Sequence, residues 1–133
     1  MSMFSAIQTA GSGLRLNRTW IDAVSDNIAN INTVRPMDEN AFQSRMVIAE
    51  AVEYGDAGGV RVAGAAFGDP EGRIRYEPGH PLADENGIVR YPDIDLADQM
   101  SQLMIAQRAY QANVAVVERA RGAYESALTL GRR

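Results

Sequence analysis

Apolar residues recur along the first third of the chain at helical spacing. Phe4, Ile7, Gly11, Leu14, Ile21, Val24, Ile28 and Ile31 stand three, four or seven apart, which places them on one face of a helix. Gly11, Gly13 and Arg18 weaken the stripe. Pro36 disfavours helical backbone at Arg35, so the helix is expected to stop around residues 30–33.

The last third carries a cleaner pattern. Leu96, Met100, Leu103, Gln107, Tyr110, Val114, Val117, Arg121, Tyr124 and Leu128 alternate in steps of four and three. Such a 3.5-residue period is a coiled-coil seam. Asp93 or Asp95 can cap its start and Gly131 its end, with Arg132 and Arg133 at the negative end of the helix dipole.

Between the helices the period changes. The stretch "AFQSRMVIAEAV" fits strand or short helix, whereas "GVRVAG", "GRIRYEPG" and "NGIVRYP" alternate apolar with polar residues between Gly, Pro and Asn-Gly breakers, as short strands do. The chain is therefore expected to be α+β and mainly helical. It divides into an N-terminal helix over 1–33, a small, irregular β-rich middle over 34–95, and a C-terminal helix over 96–133. Two striped helices at opposite ends bury their stripes most simply as an antiparallel, coiled-coil-like hairpin. Each helix of a lone pair covers one face only, and the apolar surface left over marks an assembly interface.

Charge sharpens this division. Residues 1–33 balance two arginines against two aspartates, residues 34–95 set six arginines against twelve carboxylates, and residues 96–133 set five arginines against three carboxylates. The net charge of −4 is thus concentrated in the middle. Near-neutral ends can approach one another without much Coulomb penalty, and the acidic balance argues against a nucleic-acid partner. The chain has no cysteine, which excludes disulfides and thiolate metal sites. No run reaches the ~18–20 apolar residues of a membrane helix. The opening "MSMFSAIQTAGSGLRL" lacks the basic region before an apolar core that a cleavable signal needs, so neither membrane insertion nor signal cleavage is expected.

Candidate chemistry is sparse. His80 is the only histidine, held in "EPGHPLAD" between two prolines. A metal site needs several such ligands, so a turn role is expected. Asp93, Asp95 and Asp98 suit a helix N-terminus better than a cation cage, which takes six or more oxygens. "GDAGGV" and "AGSG" lack the pattern of a phosphate cradle. They read as a loop and as a weak point in the first helix. "NRT" at 17–19 matches a glycosylation acceptor by chance, and no Ser/His/Asp arrangement proposes itself. No catalytic, cofactor or metal site is expected.

One cluster calls for its own account. "SDNIANINT" (25–33) sets Asn27, Asn30 and Asn32 at the end of the first helix, although asparagine is a mediocre helix former. Asn30 or Asn32 can cap the helix in a left-handed conformation. Asn27 and Asn30, three apart beside Ile28 and Ile31, can instead fix the register of a seam. Residue types alone leave both readings open.

The same stretch resembles the N-terminal signature of bacterial flagellar rod and hook proteins, an N-[IL]-A-N-x-x-T core filled here by Asn27, Ile28, Ala29, Asn30 and Thr33. "RAYQANVAVVE" (108–118) is similar to that family's R-x-Y-Q-A-N element, with Tyr110, Gln111 and Asn113 in place. "YEPGHPLADENGIVRYPDID" (76–95) resembles a segment of its proximal-rod members, with Asp93 standing where they carry Asn.

The resemblance implies a structural subunit of the flagellar basal-body rod. Its terminal helices would pack beside those of other rod subunits and of its own copies, building a helical tube across the periplasm after passage through the flagellar type III export apparatus. On this reading the assembly surface comprises Leu14, Ile21, Asn27, Ile28, Asn30 and Thr33 on the first helix. On the last helix it comprises Leu103, Tyr110, Gln111, Asn113, Val114, Val117, Tyr124 and Leu128. The rival readings are a different short rod subunit, which would lack the 76–95 segment, and a soluble binding module whose helical hairpin docks a partner.

Overall fold

A computed structural model describes residues 2–55 and 57–132. Two helices and four strands follow in the order α1 (Met3–Ala29), β1 (Arg45–Tyr54), β2 (Ala57–Phe67), β3 (Arg73–Tyr76), β4 (Ile88–Tyr91) and α2 (Leu96–Leu130). Both helices start on side-chain caps. Ser2 Oγ accepts from the Ser5 amide at 3.1 Å, and Asp95 Oδ1 accepts from the Asp98 amide at 2.9 Å. Each bond satisfies a backbone donor that the first helical turn leaves free.

The helices run antiparallel. Asn27 meets Gln99, Trp20 meets Gln102 and Phe4 meets Tyr124, so residues late in α1 face residues early in α2. The expected hairpin is present. Its inner line differs from the expected seam, however. In α2 only Gln99 and Ala106 are buried, with Gln102, Leu103, Ala109, Asn113, Val114, Val117 and Ala120 half-buried. Leu96, Met100, Tyr110, Tyr124 and Leu128 are exposed, as are Gln107 and Arg121. α1 likewise buries Ser5, Ala10, Ser12, Asn17, Ala23, Val24 and Asn27. Small and amide side chains take the buried positions, while several larger apolar residues of α2, among them Met100, Met104 and Ile105, are exposed.

The segment left open between helix and strand becomes β1, which pairs with β2 in an antiparallel hairpin carrying a bulge at Ile48/Ala49. β3 and β4 form a second two-stranded sheet, extended by a bridge between Arg35 and Arg90. The expected β-rich middle is two separate antiparallel hairpins. β1 and β2, at ten and eleven residues, lie along α1 and take their support from it. A two-stranded ribbon needs such support in water.

The core is thin. Val24 and Val89 are its largest fully buried apolar side chains, joined by Ala10, Ala23, Ala41, Ala57, Ile94 and Ala106. Around β4 a buried cation supplements it. The Arg90 side chain is 9 % exposed and pairs with Glu71 Oε2 at 2.8 Å. Its guanidinium also donates to the carbonyls of Glu71 at 2.7 Å and Met37 at 3.2 Å. One side chain thus ties residue 37, the 69–72 turn and β4 together. Among the described residues, no helix is long and apolar enough to cross a membrane.

Candidate assembly interface

The asparagine cluster resolves into separate tasks. Asn27 is 1 % exposed, at the junction of α1, β1 and α2. Its Oδ1 accepts from the Arg45 amide at 2.8 Å, while its Nδ2 donates to the Arg45 carbonyl at 3.0 Å and to Gln99 Oε1 at 2.9 Å. The carboxamide treats Arg45 as a neighbouring strand would, engaging its donor and its acceptor together. A primary amide of this length offers one acceptor and two donors in one plane, and all three are used. An ion pair between Arg45 and Asp26 lies beside it, half in solvent, and contributes little by comparison.

Asn30 is the C-cap of α1. Its Nδ2 donates to the Asp26 carbonyl at 2.9 Å and its Oδ1 accepts from Thr33 Oγ1 at 3.1 Å. Two expectations are corrected here. The cap is right-handed (φ −102°, ψ 8°), not left-handed, because its own side chain satisfies the last turn without a change of backbone hand. Asn32, the other capping candidate, is exposed. Of the three amides, Asn27 holds the seam and Asn30 the helix end.

The far half of α1 docks the hairpin. Thr9 Oγ1 donates to the Gly58 carbonyl, and Ser12 Oγ accepts from the Val60 amide at 3.1 Å while donating to the Thr9 carbonyl at 2.6 Å. The run "AGSG", read in sequence as a weak point of the helix, packs against both β2 and α2. A Cβ on Gly13 would lie 2.8 Å from Asn113 Nδ2, and one on Gly59 would lie 3.0 Å from Ser12 Oγ.

Of the residues expected at the interface, the structure brings Asn27, Leu103, Asn113, Val114 and Val117 into or beside the α1–α2 contact, with Leu14, Ile21 and Ile28 half-buried on α1. Asn30 and Thr33 bond to each other. Tyr110, Gln111, Tyr124 and Leu128 stay exposed. Periodicity missed Gln99, Gln102, Thr9, Ser12 and Arg45, because polar residues at inward positions carry no hydrophobic signal. The proline-framed His80 is a turn residue whose Nδ1 accepts from the Leu82 amide at 3.0 Å.

The first turns of α2 carry an exposed apolar surface. Leu96, Met100, Met104 and Ile105 are all more than 40 % exposed. Monomers seldom leave so extended an apolar face in water, and such faces mark contact with other proteins.

Comparison with known proteins bears on this surface. A family model described as flagella basal body rod protein matches residues 7–36. A second, described as flagellar basal body rod FlgEFG protein C-terminal, matches residues 85–130. Together they cover most of α1, all of α2 and the asparagine cluster. The flagellar basal-body rod protein FlgC of Salmonella typhimurium is 32% identical over 133 residues, covering 98% of this chain and 99% of that protein. FlgC of Borreliella burgdorferi is 33% identical, with 98% of each chain covered. FlgC of Bacillus subtilis is 28% identical, with 99% of this chain and 100% of that protein covered. With likeness of this extent, running through both helices and the segment between them, the chain belongs to the FlgC family of flagellar basal-body rod proteins.

Proposed function

We propose that this chain is a structural subunit of the proximal rod of the bacterial flagellar basal body, assembling through its terminal helices with other rod subunits and with its own copies. The observation that carries the reading is the division of α2 into two faces. Its inward line is short-chained and amide-rich and is matched to α1, while its outward face displays Leu96, Met100, Met104 and Ile105 to solvent. A helix that is satisfied within its own chain and still apolar outside suits lateral contact with similar helices.

Residues 1–33 and 96–133 serve as the assembly elements on this reading, with residues 34–95 as the region between them. Gln111, Tyr110, Tyr124 and Leu128, exposed here, are the expected interface residues that a neighbour would cover. The subunit reaches the periplasm through the flagellar type III export apparatus, and its role is architectural.

Complementation tests this directly. The chain is expected to restore motility and rod assembly to a strain lacking its own FlgC, and a variant with Met100→Ser and Met104→Ser is expected to fold but not to restore them. Full motility from that variant would remove the outward face of α2 from the interface.

A further inference from the structure

The chain has seven asparagines, and only Asn86 precedes a glycine; the others precede Arg, Ile, Thr, Ala or Val. The Asn86–Gly87 pair lies in the loop that joins β3 to β4. An asparagine is open to attack on its own Cγ by the backbone nitrogen of the next residue. A side chain on that next residue hinders the approach, and glycine offers no such hindrance.

The fold requires this glycine. Gly87 has φ +72°, and a Cβ there would stand 2.9 Å from Pro78 Cβ and 3.0 Å from Tyr76 Cε2. Gly87 is buried, whereas Asn86 is exposed. The turn thus sets the residue that makes an asparagine labile directly after an asparagine within reach of water.

The same turn withholds the nucleophile. The Gly87 amide donates to the Asp84 carbonyl at 2.9 Å, and the Gly87 carbonyl accepts from the Glu77 amide at 2.8 Å. On either side, the Asn86 and Ile88 amides donate to Asp84 Oδ1 at 2.9 and 3.0 Å. The Asp84 amide in turn donates to the Ile88 carbonyl at 3.1 Å. To reach Asn86 Cγ, the Gly87 nitrogen must leave its acceptor, lose its proton and swing out of a loop pinned on both sides of it. Such a change belongs to a locally opened state.

We propose that Asn86 is a site of spontaneous deamidation, held shut by the turn that Asp84 pins and released when the β3–β4 loop opens. In the open loop the Gly87 nitrogen bonds to Asn86 Cγ, and the side-chain nitrogen leaves as ammonia with the proton Gly87 gives up. Water then opens the cyclic imide at one of its two carbonyls, giving aspartate or isoaspartate. Isoaspartate routes the main chain through its side chain and lengthens the loop by a methylene. The bonds from Asp84 to Ile88 and from Glu77 to Gly87 are set for the shorter loop, so that product cannot re-form the turn. Asn86 therefore records the time a chain has spent unfolded, whatever the chain assembles with.

The tryptic peptide between Arg75 and Arg90 contains Asn86 and no other asparagine. The full chain is held at mildly alkaline pH, folded in one arm and in urea in the other, and this peptide is followed by chromatography and mass spectrometry. Deamidation of Asn86 is expected to be slower in the folded arm by about tenfold or more. Asp84→Ala, with its fold checked by circular dichroism, is expected to speed the folded arm about threefold or more and to leave the urea arm unchanged. Asp84→Asn keeps an acceptor in place and is expected to stay near the unaltered rate. Chains that form isoaspartate in urea are expected, on refolding, to lose protection of the Glu77 amide against hydrogen exchange.

Equal rates in the two arms overturn the proposal, and that comparison depends on no variant. So does an Asp84→Ala effect of the same size in urea, or a folded Asp84→Ala chain that deamidates no faster. Deamidation of any other asparagine in urea as fast as Asn86 also overturns it.

Discussion

Asn113 lies across Gly13, with its whole carboxamide inside the space a side chain would occupy: an added Cβ would stand 2.8 Å from Nδ2 and 3.1 Å from both Cγ and Oδ1. The same Nδ2 donates to the Ala109 carbonyl at 3.0 Å, which holds the amide in place. A residue of the last helix thus depends on the lack of one in the first. Gly13→Val is expected to lower stability by about 2 kcal/mol through overpacking and loss of that bond. In a double-mutant cycle with Asn113→Ala the penalty should shrink measurably, because the smaller partner vacates the space. Additive effects in denaturant unfolding would show that the two residues do not meet.

Asn27 offers a second test. Replacing it with Leu keeps the size but strands the Arg45 amide, the Arg45 carbonyl and Gln99 Oε1 without their partner. Buried groups left unpaired cost about 1–3 kcal/mol each, offset in part by the apolar gain. A net loss of about 3 kcal/mol is expected, seen in urea unfolding as a lower midpoint. Asn27→Asp should be no better, since a carboxylate can accept from the Arg45 amide but cannot donate to the two oxygens.

A pair of glycine substitutions should move in opposite directions. At Gly72 the backbone has φ +62°, and a Cβ would fall 2.1 Å from the Tyr91 carbonyl oxygen and 2.6 Å from Ala41 Cβ. Gly72→Ala is expected to destabilise by more than about 2 kcal/mol. Gly11 lies within α1 with open space around it, so Gly11→Ala should stabilise by about 0.5–1 kcal/mol. Thermal unfolding of both variants checks the contrast.

Arg90 should prove intolerant of even its nearest substitute. Its guanidinium reaches the Glu71 carboxylate and the carbonyls of Glu71 and Met37 at once. Lysine has a single nitrogen and cannot span all three. Arg90→Lys is expected to cost about 2–3 kcal/mol and to raise amide exchange at Arg35, whose backbone pairs with that of Arg90 at 2.9 Å in both directions.

Both helices, three of the four strands and the antiparallel pairing were legible in the sequence, because each rests on periodicity or on turn residues. The inward line of α2 was legible only in part. Leu103, Val114 and Val117 of the seam are half-buried, but its buried positions belong to Ala106 and Gln99, while Met100 faces solvent. In a subunit made for contact with others, the strongest hydrophobic stripe can belong to the assembly and the weaker one to the fold. Asn27 was singled out by its cluster, but its partner Arg45 lies 18 residues away in a segment that fitted neither helix nor strand well. No local rule connects a carboxamide to a distant backbone.

The way α1 crosses the β1–β2 ribbon bears on how the chain behaves when many copies are crowded together. A two-stranded ribbon presents an unpaired row of amides and carbonyls along each of its sides, ready to accept a strand from another molecule. Asn27 occupies one side at Arg45, while Thr9 and Ser12 occupy the other at Gly58 and Val60. The first helix therefore blunts the two rows at opposite corners of the ribbon. Accretion by strand addition is discouraged at those corners. Loosening α1 would reopen both rows together, so the helix that organises the fold also guards it against disordered growth.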